Sequence, residues 1–559
     1  MEHSLKNIMV NNKYKKLIIS GLVGISCLSF SFSDPGERFF EIAKNLDIYA
    51  TLFKELNSYY VDEINPNKVV KNSITAMLKQ LDPYTNYYAE DDIEDYMTMT
   101  TGKYNGIGAV IGNMKGKNVV MMIYEDSPAA KAGLKIGDEI VKLDGVEIRN
   151  KPNLDLNTLI KGQNGTALKT TILRYGATKT EDLPIVRDVV KVLNVPFFGM
   201  INETIGYINL TDFSGTAAKE VKQAFVELKA KGMKNLILDV RENPGGLLNM
   251  AVEICNIFLP KDSEIVSTKG KVAEWNKTYK GLALPVDTEM PIAVLTNSHS
   301  ASAAEIVAGV LQDYDRAVLI GQRSFGKGLV QVTRDLSYNC KLKVTTAKYY
   351  IPSGRCIQAI DYSHRNADGS VGKVPDSLIT AFKTKNKRTV YDGGGVAPDI
   401  DIDKPNLSPV SMTLSQEMLF FEYANKYVFE HKEIKPAKEF SLNDIEYNDF
   451  VNWLKGKNYD YSTQMEKDLS SLEASAKKEK YMDGIQEQFN ALKTKIANQR
   501  KADILLFKNE IKDALEKEII VHYYLQKGVR EASFVNDPEI KAALKLFNDM
   551  PKYNSILKK

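Results

Sequence analysis

Ser302 stands where a strand-like run, residues 292–295, hands over to an apolar pattern through Ala303, Ile306, Val307, Val310 and Leu311 at helical spacing. The end of a strand is where α/β proteins tend to present reactive groups, and a serine there becomes a nucleophile once a base takes its proton. The same residues, Ser302-Ala303-Ala304-Glu305, also spell a capping box, in which serine and glutamate only satisfy free amides at a helix start. Two bases are within reach of the sequence. His299, three residues upstream, raises a Ser-His-Asp triad, although its spacing across a turn does not establish the geometry. Lys327 sits between Gly326 and Gly328, in a turn flanked by strand-like residues 317–320 and 329–332. A buried lysine loses hydration, which lowers its pKa, and a neutral amine could take the serine proton and return it to a leaving amine. An ordinary lysine in a glycine turn is the plainer alternative.

Other chemistries are poorly served. Gly321-Gln322-Arg323-Ser324-Phe325-Gly326-Lys327 satisfies a phosphate-cradling loop, but Gly328 replaces the Ser or Thr that would hold magnesium. A strand-like run, Leu329-Val330-Gln331-Val332, follows where that motif requires a helix. The five histidines, His3, His299, His364, His431 and His522, form no zinc pattern. Cys27, Cys255, Cys340 and Cys356 show no C-x-x-C spacing, leaving a disulfide framework disfavoured and only Cys340 with Cys356 able to pair across a hairpin. No metal and no cofactor is expected.

The elements that position these residues read as several domains. With 559 residues, 43% hydrophobic and 26% charged, the chain has ordinary globular composition. At roughly 150 residues per domain, that length suggests three or four. The 74 Lys+Arg against 71 Asp+Glu leave a net charge of +3, which argues against a general nucleic-acid binder. Residues 37–99 carry helical periodicity, interrupted by a turn at Asp82-Pro83-Tyr84-Thr85. Residues 102–188 mix short strands with glycines. From about Val195, strands at 205–210, 236–240 and 292–295 alternate with helical patterns at 217–231 and 303–314, the mark of an α/β layer with much parallel pairing. Beyond Lys404 the pattern is charged and helical.

The ordered series Ser300-Ala301-Ser302-Ala303-Ala304-Glu305-Ile306-Val307-Ala308-Gly309, Leu311-Gln312-Asp313, Phe325-Gly326-Lys327-Gly328, Gln331, Thr346-Ala347-Lys348-Tyr349-Tyr350, Pro352-Ser353-Gly354-Arg355 and Gly394-Gly395-Val396-Ala397-Pro398-Asp399 resembles the carboxyl-terminal processing peptidases. These are tail-specific serine endopeptidases of family S41 with a Ser/Lys dyad. The resemblance covers roughly residues 37–401. It implies Ser302 as nucleophile, Lys327 as general base and Gln331 as the residue orienting the lysine, positions 327 and 331 sharing a face if the turn opens into a strand. Ala304 departs from the second small polar residue often found there. Asp239-Val240-Arg241-Glu242-Asn243-Pro244-Gly245-Gly246 matches the loop after a core strand, with the amides of Gly245 or Gly246 and of Ala303 as oxyanion donors.

Gly106-Ile107-Gly108-Ala109, with Ser127-Pro128-Ala129-Ala130-Lys131-Ala132-Gly133-Leu134 and Gly137-Asp138 downstream, resembles a PDZ module. Amides at Gly106, Ile107 and Gly108 would capture a terminal carboxylate while an extended tail adds to a sheet edge. The implied fold is α/β and multidomain, with a protease core of the ClpP/crotonase-like type. The divisions are a signal peptide at 1–33, a helical region at 34–100, an inserted PDZ domain at 101–190, a peptidase core at 191–404 and a helical region at 405–559. The implied partners are proteins or peptides with apolar C-termini, with no nucleic acid, and with the helical ends open between a homodimer and packing within one chain. An adaptor is not identified by the sequence. A tail-binding scaffold with a silent dyad and a nucleotide-binding protein are the rival functions.

Lys13, Lys15 and Lys16 precede an apolar stretch, residues 17–32, that ends in Ser31-Phe32-Ser33. That order predicts export by a secretory signal peptide to the periplasm or cell envelope. An uncleaved anchor and lipid attachment at Cys27 are the alternatives, although Gly24-Ile25-Ser26 lacks the usual leucine.

Overall fold

A computed structural model describes residues 35–149, 151, 156–404, 406–500 and 502–559. The expected signal peptide, with His3 and Cys27, lies outside them. The chain divides into two compact units, a first ending at Gln80 and a second from Leu81 to Lys559. In the first, Pro66–Lys79 is a helix started by Asn65, whose side chain accepts the Lys68 N–H. The preceding helix, Pro35–Tyr59, exposes Phe39, Phe40, Leu46 and Leu52.

The core of the second unit is a six-stranded sheet in the order Phe197–Met200, Ile205–Asn209, Asn235–Asp239, Ile292–Thr296, Ala317–Gly321, Ile400–Asp401. The first pair is antiparallel and every other pair parallel. Strands covered on both faces must be apolar on both, which explains the unbroken runs in the sequence. Along Asn235–Asp239 the sides alternate. Leu236 and Leu238 pack with Val221, Phe225, Ile254, Ile306 and Val310 of the helices Ala217–Ala230, Leu248–Phe258 and Ala303–Asp313. Ile237 faces the other way, with Tyr207, Leu295 and Val318, against Ile540, Leu546, Phe547, Tyr553 and Leu557.

The last helices, Pro538–Phe547 and Met550–Ile556, are thus the second layer of the core, although the sequence places them in a separate tail. Tyr553 reaches the sheet itself, its hydroxyl 2.9 Å from the Ile292 nitrogen and 3.1 Å from the Ile292 oxygen. Arg241 joins the end of a core strand to the same helices, pairing with Asp239, Asp537 and Glu539. Of the other C-terminal helices, Leu419–Glu430, Asp444–Leu454 and Lys508–Asn536 gather around Leu419, Tyr423, Phe450, Ile511 and Leu515, while Gln464–Lys478 and Met482–Arg500 share a separate small core of Leu469, Ala476, Met482 and Phe489.

A second sheet forms the wall beside the core. Lys341–Tyr350 pairs with Leu329–Asp335 on one side and with Asn86–Tyr88 and Glu264–Gly270 on the other. Asn86–Tyr88 lies in a stretch whose periodicity reads as helical. Its strand conformation is imposed by a partner far along the chain, with Asn86 opposite Lys343.

The PDZ-like module enters and leaves through one ribbon, in which Lys103–Gly106 pairs antiparallel with Asp188–Lys191. Its main sheet runs Ala109–Met114, Lys117–Ile123, Glu139–Leu143, Ala167–Leu173, Glu181–Val186. Ala109–Met114 is therefore an edge strand, directly after the glycine loop. Phe421 and Val521 of the C-terminal helices are buried in this module's core beside Ile107, Val120, Ile140 and Ile172.

Candidate active site

Ser302 caps the helix Ala303–Asp313 with φ +55° and ψ −114°. Side chains rarely adopt such a conformation, and holding one there costs on the order of 1 kcal/mol or more. The surroundings enforce it. Ser300 Oγ donates to the Val240 carbonyl at 2.8 Å, and the Ala301 N–H donates to the Asn243 carbonyl at 2.9 Å, stitching the turn to the neighbouring strand end. Only half of the capping box forms. Glu305 accepts the Ser302 N–H at 2.8 Å, while the Ser302 side chain makes no capping bond. Its hydroxyl is left available on a strained strand-to-helix turn.

Glu305 is also what holds Lys327. Its buried carboxylate accepts the Gly326 N–H at 2.6 Å, the Lys327 N–H at 2.8 Å and the Ser324 hydroxyl at 2.5 Å. Burial pushes its pKa up to about 7, and the donors from Ser324, Lys327, Gly326 and Ser302 pull the other way. Tyr349 adds a second tie, its hydroxyl lying 2.7 Å from the Lys327 carbonyl and 3.2 Å from that of Ser302. The two turns are thereby locked together from below, through their backbones.

Ser302 and Lys327 line one cleft of about 270 Å³, walled by Leu247, Leu248, Ile306 and Leu329 and carrying Asp212 and Lys343 at its polar side. The Lys327 amine is drawn down to a pKa of about 8, first by burial and then by the like charge of Lys343, with Asp82 and Glu305 opposing. Its Nζ lies 4.1 Å from the centre of the Tyr84 ring. At pH 7 about a tenth of such amines is deprotonated, against far fewer for an ordinary lysine, which suits a general base.

The loop after Asn235–Asp239 reaches the same cleft. A Cβ on Gly245 would stand 2.7 Å from the Ser302 Cβ and 2.9 Å from the Ala303 nitrogen, so a glycine is required there, and its φ is +96°. The Gly245 N–H is already given to Asn243 Oδ1 at 2.8 Å. Gly246 and Ala303, both lining the cleft, have N–H groups with no acceptor among the described residues. Of the three expected oxyanion donors, these two are the free ones.

Gln331 also lines the cleft, but its amide donates to Thr345 Oγ1 at 3.1 Å. A bulge between Val330 and Gln331 breaks the simple alternation that would align it with position 327. His299 is elsewhere. Its Nδ1 lies 2.9 Å from Glu242 Oε1, in a separate charged cavity with Arg241 and Arg530, so the Ser-His-Asp alternative fails on geometry. The phosphate-loop alternative fails as well, because a strand, Leu329–Asp335, follows Lys327. Cys340 and Cys356 are both free.

In the PDZ-like module, Gly108 has φ +77° and its Cβ would fall 2.3 Å from the Ser127 Cβ. Gly106 ends the entry strand, and Ile107 is fully buried, anchoring the loop. The Ile107 and Gly108 carbonyls accept from Ala129 and Tyr124, while the Ile107 N–H has no acceptor among the described residues.

Tyr84, Lys343 and Tyr349 lie beside Ser302 and Lys327 without any mark of it in the sequence. Tyr84 is visible only as part of a turn motif and Tyr349 only as part of a shared motif. Glu305 was visible as half a capping box, which concealed its three bonds to the lysine turn.

Comparison with known proteins finds family matches in three parts of the chain. Residues 204–364 match the model of peptidase family S41, residues 119–174 that of a PDZ domain, and residues 410–547 the C-terminal helical domain of a probable PDZ-protease. The carboxy-terminal-processing protease of Bartonella bacilliformis is 37% identical over 321 residues, spanning 57% of this chain and 73% of its own. A probable CtpA-like serine protease of Staphylococcus haemolyticus is 33% identical over 307 residues, 55% of this chain and 61% of its own. Among solved structures, a photosystem II D1 C-terminal processing protease is 25% identical with a TM-score of 0.34, covering 64% of this chain and 92% of that one. The chain belongs to the carboxy-terminal-processing serine proteases of peptidase family S41 that carry a PDZ domain.

Proposed function

We propose that this chain is an exported serine endopeptidase that takes hold of protein C-terminal tails through its PDZ domain and cleaves near them by a Ser302/Lys327 dyad. The observation that carries the dyad is the single carboxylate of Glu305, which binds the backbone of both residues and keeps them on one cleft. Neutral Lys327 takes the Ser302 proton as Oγ attacks the scissile carbonyl. The N–H groups of Gly246 and Ala303 receive the oxyanion. The tetrahedral intermediate collapses, Lys327 gives its proton to the departing amine, and an acyl-enzyme remains on Ser302. Water then attacks with Lys327 as base again. Gln331 acts on the lysine side of the cleft through Thr345.

The edge strand Ala109–Met114, beginning at Gly106-Ile107-Gly108, would take an extended tail with an apolar end as an added strand. Release into the periplasm or cell envelope follows from the basic and apolar N-terminal segment. The apolar side chains exposed on Pro35–Tyr59 favour a second copy of this chain as partner, giving a homodimer.

The test follows an unfolded reporter with an apolar C-terminal tail by mass spectrometry, with wild type, Ser302→Ala and Lys327→Ala, each with and without a chelator. New termini made only by wild type, and unaffected by the chelator, are expected. A wild-type protein that binds the tail and never cuts it would make this a PDZ scaffold of the cell envelope instead.

A further inference from the structure

We infer that Tyr84 is a positioning residue for the reaction, its ring face holding the Lys327 amine at the cleft; this rests on Lys327 serving as the general base. The Lys327 Nζ lies 4.1 Å from the Tyr84 ring centre, within the range at which a ring quadrupole attracts an ammonium group. Among the described residues Nζ makes no hydrogen bond and no ion pair, so the ring is the directional contact it has.

The turn that presents Tyr84 is rigid. Asp82 Oδ1 accepts the N–H groups of Tyr84 and Thr85, both at 2.8 Å, and Oδ2 accepts the Thr85 hydroxyl at 3.0 Å. Asp82 and Thr85 are buried. The Tyr84 ring meets that of Tyr362 edge to face, with centroids 6.0 Å apart. The strand that follows, Asn86–Tyr88, is locked in register with Lys341–Tyr350, setting Asn86 opposite Lys343. Thr85 and Thr345 are joined by the Thr345 N–H, which donates to Thr85 Oγ1 at 3.2 Å, and Thr345 Oγ1 receives the Gln331 amide. Gln331 therefore reaches the lysine's surroundings by bracing the turn that carries Tyr84.

The groups that set the charge state of the amine come from every side. Lys343, on the strand Lys341–Tyr350, disfavours the ammonium, as does burial, whereas Asp82 from the turn and Glu305 from the helix favour it. Asp212, Tyr96 and Tyr349 line the same cleft. The ring of Tyr84 joins the side that favours the ammonium, and it also fixes where that ammonium sits when it must return a proton.

The experiment compares wild type, Tyr84→Phe, Tyr84→Leu and Tyr84→Met by steady-state cleavage and by competitive acetylation of Lys327 across pH, mapped by mass spectrometry. The acetylation curve gives the lysine pKa without reference to activity. With the ring gone but the site still apolar, the Leu and Met variants should show kcat lowered tenfold or more at unchanged KM. Their Lys327 pKa should fall by about half to one and a half pH units. Tyr84→Phe should match wild type in both. If the Leu variant does not fold, the Met variant carries the comparison. An unmoved Lys327 pKa in the ring-less variants, or equal damage in Tyr84→Phe, overturns the proposal. Cleavage by Lys327→Ala at the wild-type rate would instead remove the base reading and leave the acetylation result standing.

Discussion

Glu305 Oε2 accepts the backbone N–H of Lys327 at 2.8 Å, across the gap between the helix Ala303–Asp313 and the glycine turn. The same oxygen accepts the Ser302 N–H, so the proposed nucleophile and the proposed base are both tied to one buried atom. Side chains that must exchange a proton are best held by elements that cannot drift apart, and a carboxylate with four donors supplies that constraint.

Removing that carboxylate should therefore do more than weaken a helix cap. Glu305→Ala orphans the N–H groups of Ser302, Gly326 and Lys327 and the Ser324 hydroxyl. A loss of about 3 kcal/mol or more in stability is expected, read as a lowered melting temperature. Activity should fall below detection even at temperatures where the variant remains folded. An ordinary cap would cost only about 1 kcal/mol and leave the rate near wild type.

The pH dependence follows from Lys327. Its pKa of about 8 means that kcat/KM should rise close to tenfold per pH unit below that value and level off above it. Rates measured from pH 6 to pH 9.5 on one peptide check this. A rate independent of pH over that range would argue against an amine as base.

The same group has a stability signature. Folding lowers the lysine pKa from 10.5 to about 8, so the native state disfavours its charge. Below pH 8 both folded and unfolded chains carry the proton and the penalty is fully present; between pH 8 and 10.5 the folded chain releases it and the penalty fades. Lys327→Met should accordingly raise the melting temperature at pH 7, by up to about 3 kcal/mol in stability, with the advantage shrinking towards pH 10. Melting curves of both proteins across pH give the comparison.

At the oxyanion loop, Gly245→Ala would drive a Cβ to within 2.7 Å of both the Ser302 Cβ and the Ala301 oxygen. A fall in kcat of roughly 100-fold is expected, comparable to losing an oxyanion donor, with tail affinity for the PDZ domain unchanged. Kinetics and an independent peptide-binding measurement separate the two effects.

The sequence revealed the α/β core because strands such as 236–240 and 292–295 are apolar on both faces and alternate with amphipathic helices. Ser302 and Lys327 were legible through the long motif around them, since the local pattern at each also fits a plain cap and a plain turn. Other parts were hidden for physical reasons. Asn86–Tyr88 is a strand only because Lys341–Tyr350 pairs with it, and periodicity carries no record of so distant a partner. Tyr553 and Leu557 sit in a charged helical tail, and their packing against Ile237 and Val318 depends on tertiary contact alone. The bulge at Val330 and Gln331 likewise redirects a side chain without any local mark.

The central claim is that Ser302 is acylated with Lys327 as its base, and a single-turnover experiment on an ester substrate reads it most directly. Rapid quenching followed by peptide mapping should find the acyl group on Ser302. Its formation should be half-maximal near pH 8 in wild type, and it should be absent in Lys327→Ala. An acyl group on another residue, or acylation of Ser302 at the same rate without Lys327, would contradict the account.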